Sequence, residues 1–303
     1  QSIINAVLCL VNPGDEVILP TPFWVSYSAM VKLAEGTIVE IPTSIESDFK
    51  ITPEQLEKAI TPKTKLIMFS SPCNPTGTVY TKDELKALAE VVARHENVYI
   101  ISDEIYEHIN FTGQHASMAQ FDFIYDRVVT VNGLSKAYAM TGWRLGYIGA
   151  PLWIAKACDK IQGQYTSATC SITQRAAIAA LEGDVETTLT MKAAFLRRRD
   201  LVFQMMQNIK GLKFNNPQGA FYFFPDVSNY FGKTYNGNTI NNADDMAMYL
   251  LNEGNLSVVT GSAFGDQNCI RFSYATSDDK LVEAMKRLKI ALEKLITQEI
   301  PVS

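Results

Sequence analysis

Thr130-Val131-Asn132-Gly133-Leu134-Ser135-Lys136-Ala137-Tyr138-Ala139-Met140-Thr141-Gly142-Trp143-Arg144-Leu145-Gly146-Tyr147 is the stretch on which the reading of this chain turns. The apolar run from Arg127 to Val131 predicts a strand, and it feeds a Gly-Leu-Ser-Lys turn. Eight residues after the lysine comes Arg144, close to Gly142 and Gly146. In α/β folds the end of a strand is where chemistry is placed, because the strand holds the turn and the loop stays reachable. A lysine there can form a Schiff base if its surroundings lower its affinity for a proton. Taken alone, Ser135-Lys136 reads equally as a solvated lysine at a strand end, so the rest of the chain has to decide.

Working outward, short apolar runs alternate with amphipathic ones. Strands are predicted at Glu16–Pro20, Thr37–Ile41, Lys65–Ser70, Val98–Ser102, Arg127–Val131 and Leu145–Gly149. Helices are predicted from the first residues to Val11, from Pro22 to Ala34, from Thr52 to Ile60 and from Thr81 to about His95. Thr52-Pro53-Glu54-Gln55 and Thr81-Lys82-Asp83-Glu84 each carry the capping-box spacing that starts a helix. Strand and helix in alternation imply a largely parallel sheet covered on both faces. After Gly183 the pattern changes to a long helix from Val185 to about Ile209, a helix near Asp244–Glu253, strands near Leu256–Val259 and Cys269–Tyr274, and a last helix from about Asp278. The expected division is a large domain over 1–183 and a smaller α+β domain over 184–303. Arg197-Arg198-Arg199 within the long helix reads as a solvated face rather than a binding patch.

The 303 residues are 47% apolar and 19% charged, with a net charge of -5 and a pI near 5.4. That balance argues against nucleic acid or an anionic membrane surface as partner. No apolar run is long enough to span a bilayer. Cys9, Cys73, Cys158, Cys170 and Cys269 are scattered without a C-x-x-C pair, so neither a disulfide framework nor a metal site is expected, and a reducing, cytoplasmic setting is. The chain begins inside a helical pattern with no capping residue before it, which predicts further sequence upstream.

Polar residues collect at the predicted strand ends. Ser71-Pro72-Cys73-Asn74-Pro75-Thr76-Gly77 is a rigid loop after Lys65–Ser70, Asp103-Glu104-Ile105-Tyr106 follows Val98–Ser102, and Pro22-Phe23-Trp24 follows Glu16–Pro20. Each has a plain alternative: Asn74 as a turn former, Asp103 as a cap, Trp24 as core, Arg144 as half of a surface ion pair. Their joint occurrence in this order favours a site.

Through Asn74-Pro75-Thr76-Gly77, Asp103-Glu104-Ile105-Tyr106, Ser135-Lys136 and Thr141-Gly142-Trp143-Arg144 the sequence resembles the class I/II aminotransferases. The likeness runs from Asn12-Pro13-Gly14-Asp15 through Gly219-Ala220-Phe221-Tyr222 to Arg271-Phe272-Ser273. It is strongest to the bacterial branch of aspartate aminotransferases, whose Pro-x-Trp-x-x-Tyr stands here as Pro22 to Tyr27. The resemblance implies the pyridoxal-phosphate (PLP) transferase fold of type I, with a mostly parallel seven-stranded sheet flanked by helices. It implies Lys136 as the residue that carries PLP and moves the Cα proton, and Asp103 as partner of the pyridine nitrogen. Tyr106 and Asn74 would donate to the cofactor's phenolic oxygen, with Asn74 also facing substrate. Trp24 would stack on the ring, Ser135 and Arg144 would hold the phosphate, and Arg271 would bind the substrate α-carboxylate.

The implied reaction is amino transfer between an amino acid and a 2-oxo acid, most simply L-aspartate with 2-oxoglutarate, in a homodimer. Gly133 departs from the serine that many relatives carry three residues before the lysine. The early phosphate loop and the side-chain-recognising segment of the family would lie before Gln1, so weak PLP binding is expected of this stretch alone. Other outcomes on the same fold are an aromatic or prephenate transaminase, a β-lyase, or the sensing domain of an aminotransferase-like transcriptional regulator. A nicotinamide dehydrogenase is disfavoured, since no G-x-G-x-x-G follows a predicted strand.

Overall fold

Short apolar runs closed by turn formers become the strands of a six-stranded sheet in the computed structural model, which describes residues 1–297. The first half of the chain runs through α1 (Ser2–Leu10), β1 (Glu16–Thr21), α2 (Ser26–Leu33), β2 (Thr37–Pro42), α3 (Pro53–Ala59), β3 (Thr64–Ser70), α4 (Lys82–Ala93), β4 (Tyr99–Asp103), β5 (Val128–Gly133) and β6 (Gly146–Gly149). Across the sheet the order is β2-β1-β3-β4-β5-β6. Every neighbour is parallel except β6, which runs antiparallel to β5. The sheet therefore has six strands where the family pattern led us to expect seven.

Central strands β1 and β3 are buried on both faces, as parallel strands under two helical layers must be. One layer buries Val7 and Leu10 of α1, Tyr27 and Val31 of α2 and Ile154 against Leu19, Leu66, Met68 and Val129. The other buries Leu85, Leu88, Ala89 and Val92 of α4, at helical spacing, against Ile18, Ile67 and Ile100. Capping boxes start α3 and α4 at Thr52 and Thr81 as the spacing predicts. Helix α2 begins at Ser26 and not at Pro22. The amide of Phe23 is spent on the carbonyl of Phe264 at 3.0 Å, which fixes the preceding residues as a bend.

The second half contains α5 (Leu152–Tyr165), α6 (Ser171–Glu182), α7 (Glu186–Met206), β7 (Tyr222–Phe223), β8 (Thr234–Tyr235), β9 (Asn238–Thr239), α8 (Ala243–Gly254), β10 (Val259–Thr260), β11 (Ile270–Ser273) and α9 (Asp278–Thr297). An antiparallel sheet β10-β11-β7 and the hairpin β8-β9 accompany them. Their own core joins Val202, Met206, Phe223, Met246, Leu250, Leu288 and Leu292, and takes in Tyr106 and Ile109 from the first half. Helices α5 and α6 were not foreseen. Leu152, Tyr165 and Ile172 on them are exposed, which blurs the apolar stripe a sequence reading relies on.

The three consecutive arginines are not a uniform solvated face. Arg197 bonds Asp278 at the start of α9, while Arg199 is largely covered and donates to the Pro217 carbonyl at 3.0 Å. Among the described residues no helix is long and apolar enough to cross a membrane.

Candidate active site

Adjacent parallel strands put three loop starts side by side. Ser70 of β3 pairs in register with Asp103 of β4, and Asp103 with Val131 of β5. The loops carrying Asn74, Tyr106 and Lys136 thus leave from one edge of the sheet, the carboxyl edge where open α/β folds bind ligands.

Asp103 is 6% exposed. One carboxylate oxygen accepts from the Tyr27 hydroxyl at 2.7 Å and the other from the Ile105 amide at 3.2 Å. Burial holds its pKa above the ordinary carboxylate value, and these two donors only partly offset that. A buried carboxylate in this condition is suited to a cationic partner. The neighbouring Glu104 faces the other way. Its oxygens accept from Ser102 at 2.9 Å and Ser117 at 2.7 Å and lie 2.8 Å from His115 Nε2. Glu104, Glu107 and His115 offer ligand atoms within 4.8 Å of one another, but Glu104 is already bonded three ways and acts as an internal brace.

The Lys136 amine stands 5.9 Å from the ring centre of Tyr106 and 5.8 Å from that of Phe221. Its affinity for a proton is lowered first by burial and next by the charge of Arg271, with Arg144 adding and Asp103 opposing. A half-buried amine with depressed basicity gives up its proton more readily than a solvated lysine, which is what a nucleophilic lysine needs.

Tyr106 is buried, and its hydroxyl lies 2.9 Å from that of Tyr222. Asn74, 7% exposed, accepts from a guanidinium nitrogen of Arg271 at 2.8 Å. Arg271 projects from β11 over two rings, 4.5 Å from the centre of Tyr222 and 4.8 Å from that of Phe264. Its Nε is buried without a partner.

Lys136, Asp103, Tyr106, Asn74 and Arg271, spread over 198 positions of sequence (74 to 271), therefore face one space. Trp24 stands one ring away, edge-on to Tyr27 at 5.5 Å. Ser135 is half-buried on the lysine's own loop. Arg144 is exposed, in a left-handed conformation, and donates to Thr141 of the same turn at 2.7 Å. Its contact with the rest is through its field at Lys136. A Cβ at Gly133 would come within 3.0 Å of the backbone at Leu145 and Gly146, so the β5–β6 pairing here favours glycine over serine.

Two residues escaped the sequence reading. Tyr27 lay within the quoted Pro22–Tyr27 run without a role, and its spacing three after Trp24 was the available signal. Tyr222 lay within Gly219–Tyr222, where nothing in the sequence pointed to Tyr106, 116 positions earlier.

The profile of the family described as "Aminotransferase class I and II" matches residues 1–288. The chain is 48% identical over 297 residues to a bifunctional aspartate aminotransferase and glutamate/aspartate-prephenate aminotransferase of Petunia hybrida, spanning 96% of this chain and 62% of that protein. It is 50% identical over 299 residues to an aspartate/prephenate aminotransferase of Cereibacter sphaeroides, with 95% and 73% covered. Among solved structures, the aspartate aminotransferase of Rhizobium meliloti superposes with a TM-score of 0.93 at 42% identity, covering 97% of this chain and 74% of that one. The chain thus spans about two thirds of the length of these relatives.

Proposed function

The chain belongs to the class I and II aminotransferases, and from that premise we propose that it transfers an amino group between L-aspartate and 2-oxoglutarate with PLP as cofactor. The observation that carries this reading is the half-buried Lys136 amine, made less basic by its burial and by Arg271, above the Tyr106 ring.

The residues fit PLP by their chemistry. Asp103, buried and short of a cation, suits a protonated pyridine nitrogen, and its charge would keep that proton in place. Arg271 holds Asn74 by its oxygen, which leaves the Asn74 NH₂ as the donor end toward a phenolic oxygen. Tyr106 supplies the second donor there. Ser135 and Arg144 serve the phosphate, and Trp24 the ring face. When bound, PLP supplies an aldehyde that takes up the amino group and a ring that draws electrons from Cα.

Everything else falls to the chain. Arg271 grips the α-carboxylate through its fixed fork of donors and so sets the rotation about Cα. Lys136 then takes the proton from Cα as a neutral amine and returns it on the other side of the exchange. Tyr106 and Phe221 cover part of the amine's surroundings with ring surface.

We further propose a division at Gly183 into 1–183 and 184–303, supported by the two sheet cores formed before it and the main core formed after it, to which the first half adds Tyr106 and Ile109. A homodimer completes the reading, supported by the exposed Leu152, Tyr165 and Ile172 of α5 and α6, and a cytoplasmic setting is supported by the five free cysteines. Prephenate is a second acceptor to examine, because the petunia and Cereibacter relatives are named for it.

The test is oxaloacetate formation from L-aspartate and 2-oxoglutarate by the PLP-loaded protein, with Lys136→Ala beside it. Turnover in the parent and its loss in Lys136→Ala is the expected result. A Lys136→Ala protein that turns over at the parental rate refutes the reading.

A further inference from the structure

Arg271 and Tyr106 sit on different halves of the chain, and one side chain touches both. Tyr222 belongs to β7, paired antiparallel with β11 so that Ser273 lies opposite it. Its ring faces the Arg271 guanidinium at 4.5 Å, and its hydroxyl lies 2.9 Å from that of Tyr106. It is 6% exposed, so neither contact is diluted by water. The guanidinium lies over a second ring as well, Phe264 at 4.8 Å, and has an Nε with no hydrogen-bond partner. Ring faces and the Asn74 oxygen therefore set the plane of the fork.

The hydroxyl pair carries a constraint of its own. A phenol has one proton to donate. If Tyr106 gives its proton to the cofactor's phenolic oxygen, it cannot also give one to Tyr222, so the proton between the two phenols must come from Tyr222. Donation into Tyr106 polarises its O–H and strengthens the bond it makes onward.

We propose that Tyr222 is a positioning residue for both ends of the site: its hydroxyl donates to Tyr106, and its ring aligns the carboxylate-binding fork of Arg271. The inference rests on the transaminase reading above and adds to it a residue that touches neither the lysine nor the reacting carbon.

Two substitutions separate the two contacts. Tyr222→Phe removes the hydroxyl and keeps the ring. With Tyr106 a weaker donor, the phenolic oxygen holds its own proton more tightly. The pH midpoint of the visible band of bound PLP should then rise by about 0.5–1, the worth of one ordinary hydrogen bond. Affinity for succinate, a non-reacting dicarboxylate, should stay within about threefold of the parent, because the ring face remains. Tyr222→Leu removes both contacts and should also weaken succinate binding by about tenfold.

Both readouts are independent of turnover, and a purely structural residue would not divide them this way. An unmoved pH midpoint in Tyr222→Phe overturns the hydroxyl half. Parental succinate affinity in a folded Tyr222→Leu, or a large loss already in Tyr222→Phe, overturns the ring half. If Tyr222→Leu does not fold, Tyr222→Met, which likewise lacks both the hydroxyl and the ring face, takes its place in the succinate measurement with the same expected and overturning results. A parent protein without a visible PLP band defeats the transaminase reading, and this inference with it. A parent band with an unresponsive Tyr222→Phe defeats the inference only.

Discussion

The side-chain oxygen of Asn74 accepts a 2.8 Å hydrogen bond from Arg271, which lies 197 positions further along the chain. Asn74 follows the end of β3 in the large sheet, and Arg271 sits on β11 of the small one. The bond is charge-assisted and largely out of water, so it both ties the halves together and fixes where the guanidinium points. The proposed carboxylate site is therefore assembled across the fold and not within one element.

Arg271→Lys tests how much of this depends on the planar fork. Lysine keeps the charge but offers a point donor, so it cannot hold Asn74 and a carboxylate in the same fixed geometry. Losing one charge-assisted bond costs about 1.5–3 kcal/mol. The expected result is a fall of roughly 10- to 100-fold in kcat/KM for L-aspartate, with PLP still bound. Steady-state kinetics beside the visible spectrum checks it, and near-parental kcat/KM would show that the fork is dispensable.

Arg271→Gln makes a separate prediction about the lysine. Arg271 is the largest electrostatic cause of the lowered basicity of Lys136, second only to burial. Removing a nearby positive charge stabilises the ammonium, so its pKa rises. Capture of added PLP needs the neutral amine, and the rate-versus-pH curve for growth of the visible band should move to higher pH. A curve that stays put or moves to lower pH contradicts the assignment.

Much of this site could be read from the sequence because its parts are local. Lys136 follows an apolar strand, Asn74 sits in a proline-fixed loop, and Asp103 ends a strand, so each announces its own position within a few residues. What escaped was pairing through space. The bonds from Tyr27 to Asp103 and between Tyr222 and Tyr106 span 76 and 116 positions, and no periodicity encodes them. The antiparallel direction of β6 was equally hidden, since hydrophobic alternation is the same whichever way a strand runs. Helices α5 and α6 were missed for a related reason: apolar residues such as Leu152 and Ile172 stand exposed in this single chain, so they do not trace a buried stripe.

Asp103→Asn should separate stability from function. In the folded chain the Asp103 carboxyl has a raised pKa because burial outweighs its two donors. For a carboxyl raised on folding, the favourable contribution is present below the ordinary carboxylate pKa and is lost as pH rises through the folded one. As pH rises towards neutral the PLP-free protein therefore gives up that contribution, because ionising the buried carboxyl costs more than ionising an exposed one. Asparagine cannot ionise, and its oxygen can accept from the Ile105 amide while its NH₂ donates to the Tyr27 oxygen. Without PLP, Asp103→Asn should melt higher than the parent at pH 7 and draw level with it in acid, while its affinity for PLP falls. Thermal melts across pH with and without PLP read both effects, and a variant that melts lower at pH 7 contradicts the first.

Gly219→Ala probes the seam on which the Asn74–Arg271 bond depends. The amides of Gln218 and Gly219 both donate to the Gly77 carbonyl, at 2.8 and 2.9 Å, and that of Ala220 to Ile109 at 2.8 Å. A Cβ on Gly219 would stand 2.6 Å from two carbons of Pro72 and 2.9 Å from the Ile109 carbonyl. The proline ring is locked into its loop, so the strain has to be relieved by moving the loop that carries Asn74, two residues on. Overpacking of this kind costs about 1–3 kcal/mol. The variant should melt lower and lose kcat/KM. Because both changes act through the Asn74–Arg271 bond, the loss should be less than additive with that of Arg271→Lys. Gly163→Ala in α5 is the control: its Cβ would meet nothing within 4 Å. That change should be neutral or stabilising by up to about 1 kcal/mol, the usual gain for alanine over glycine in a helix. Strict additivity of Gly219→Ala with Arg271→Lys would mean that the two positions act on catalysis separately, and the seam would then have no hold on the arginine.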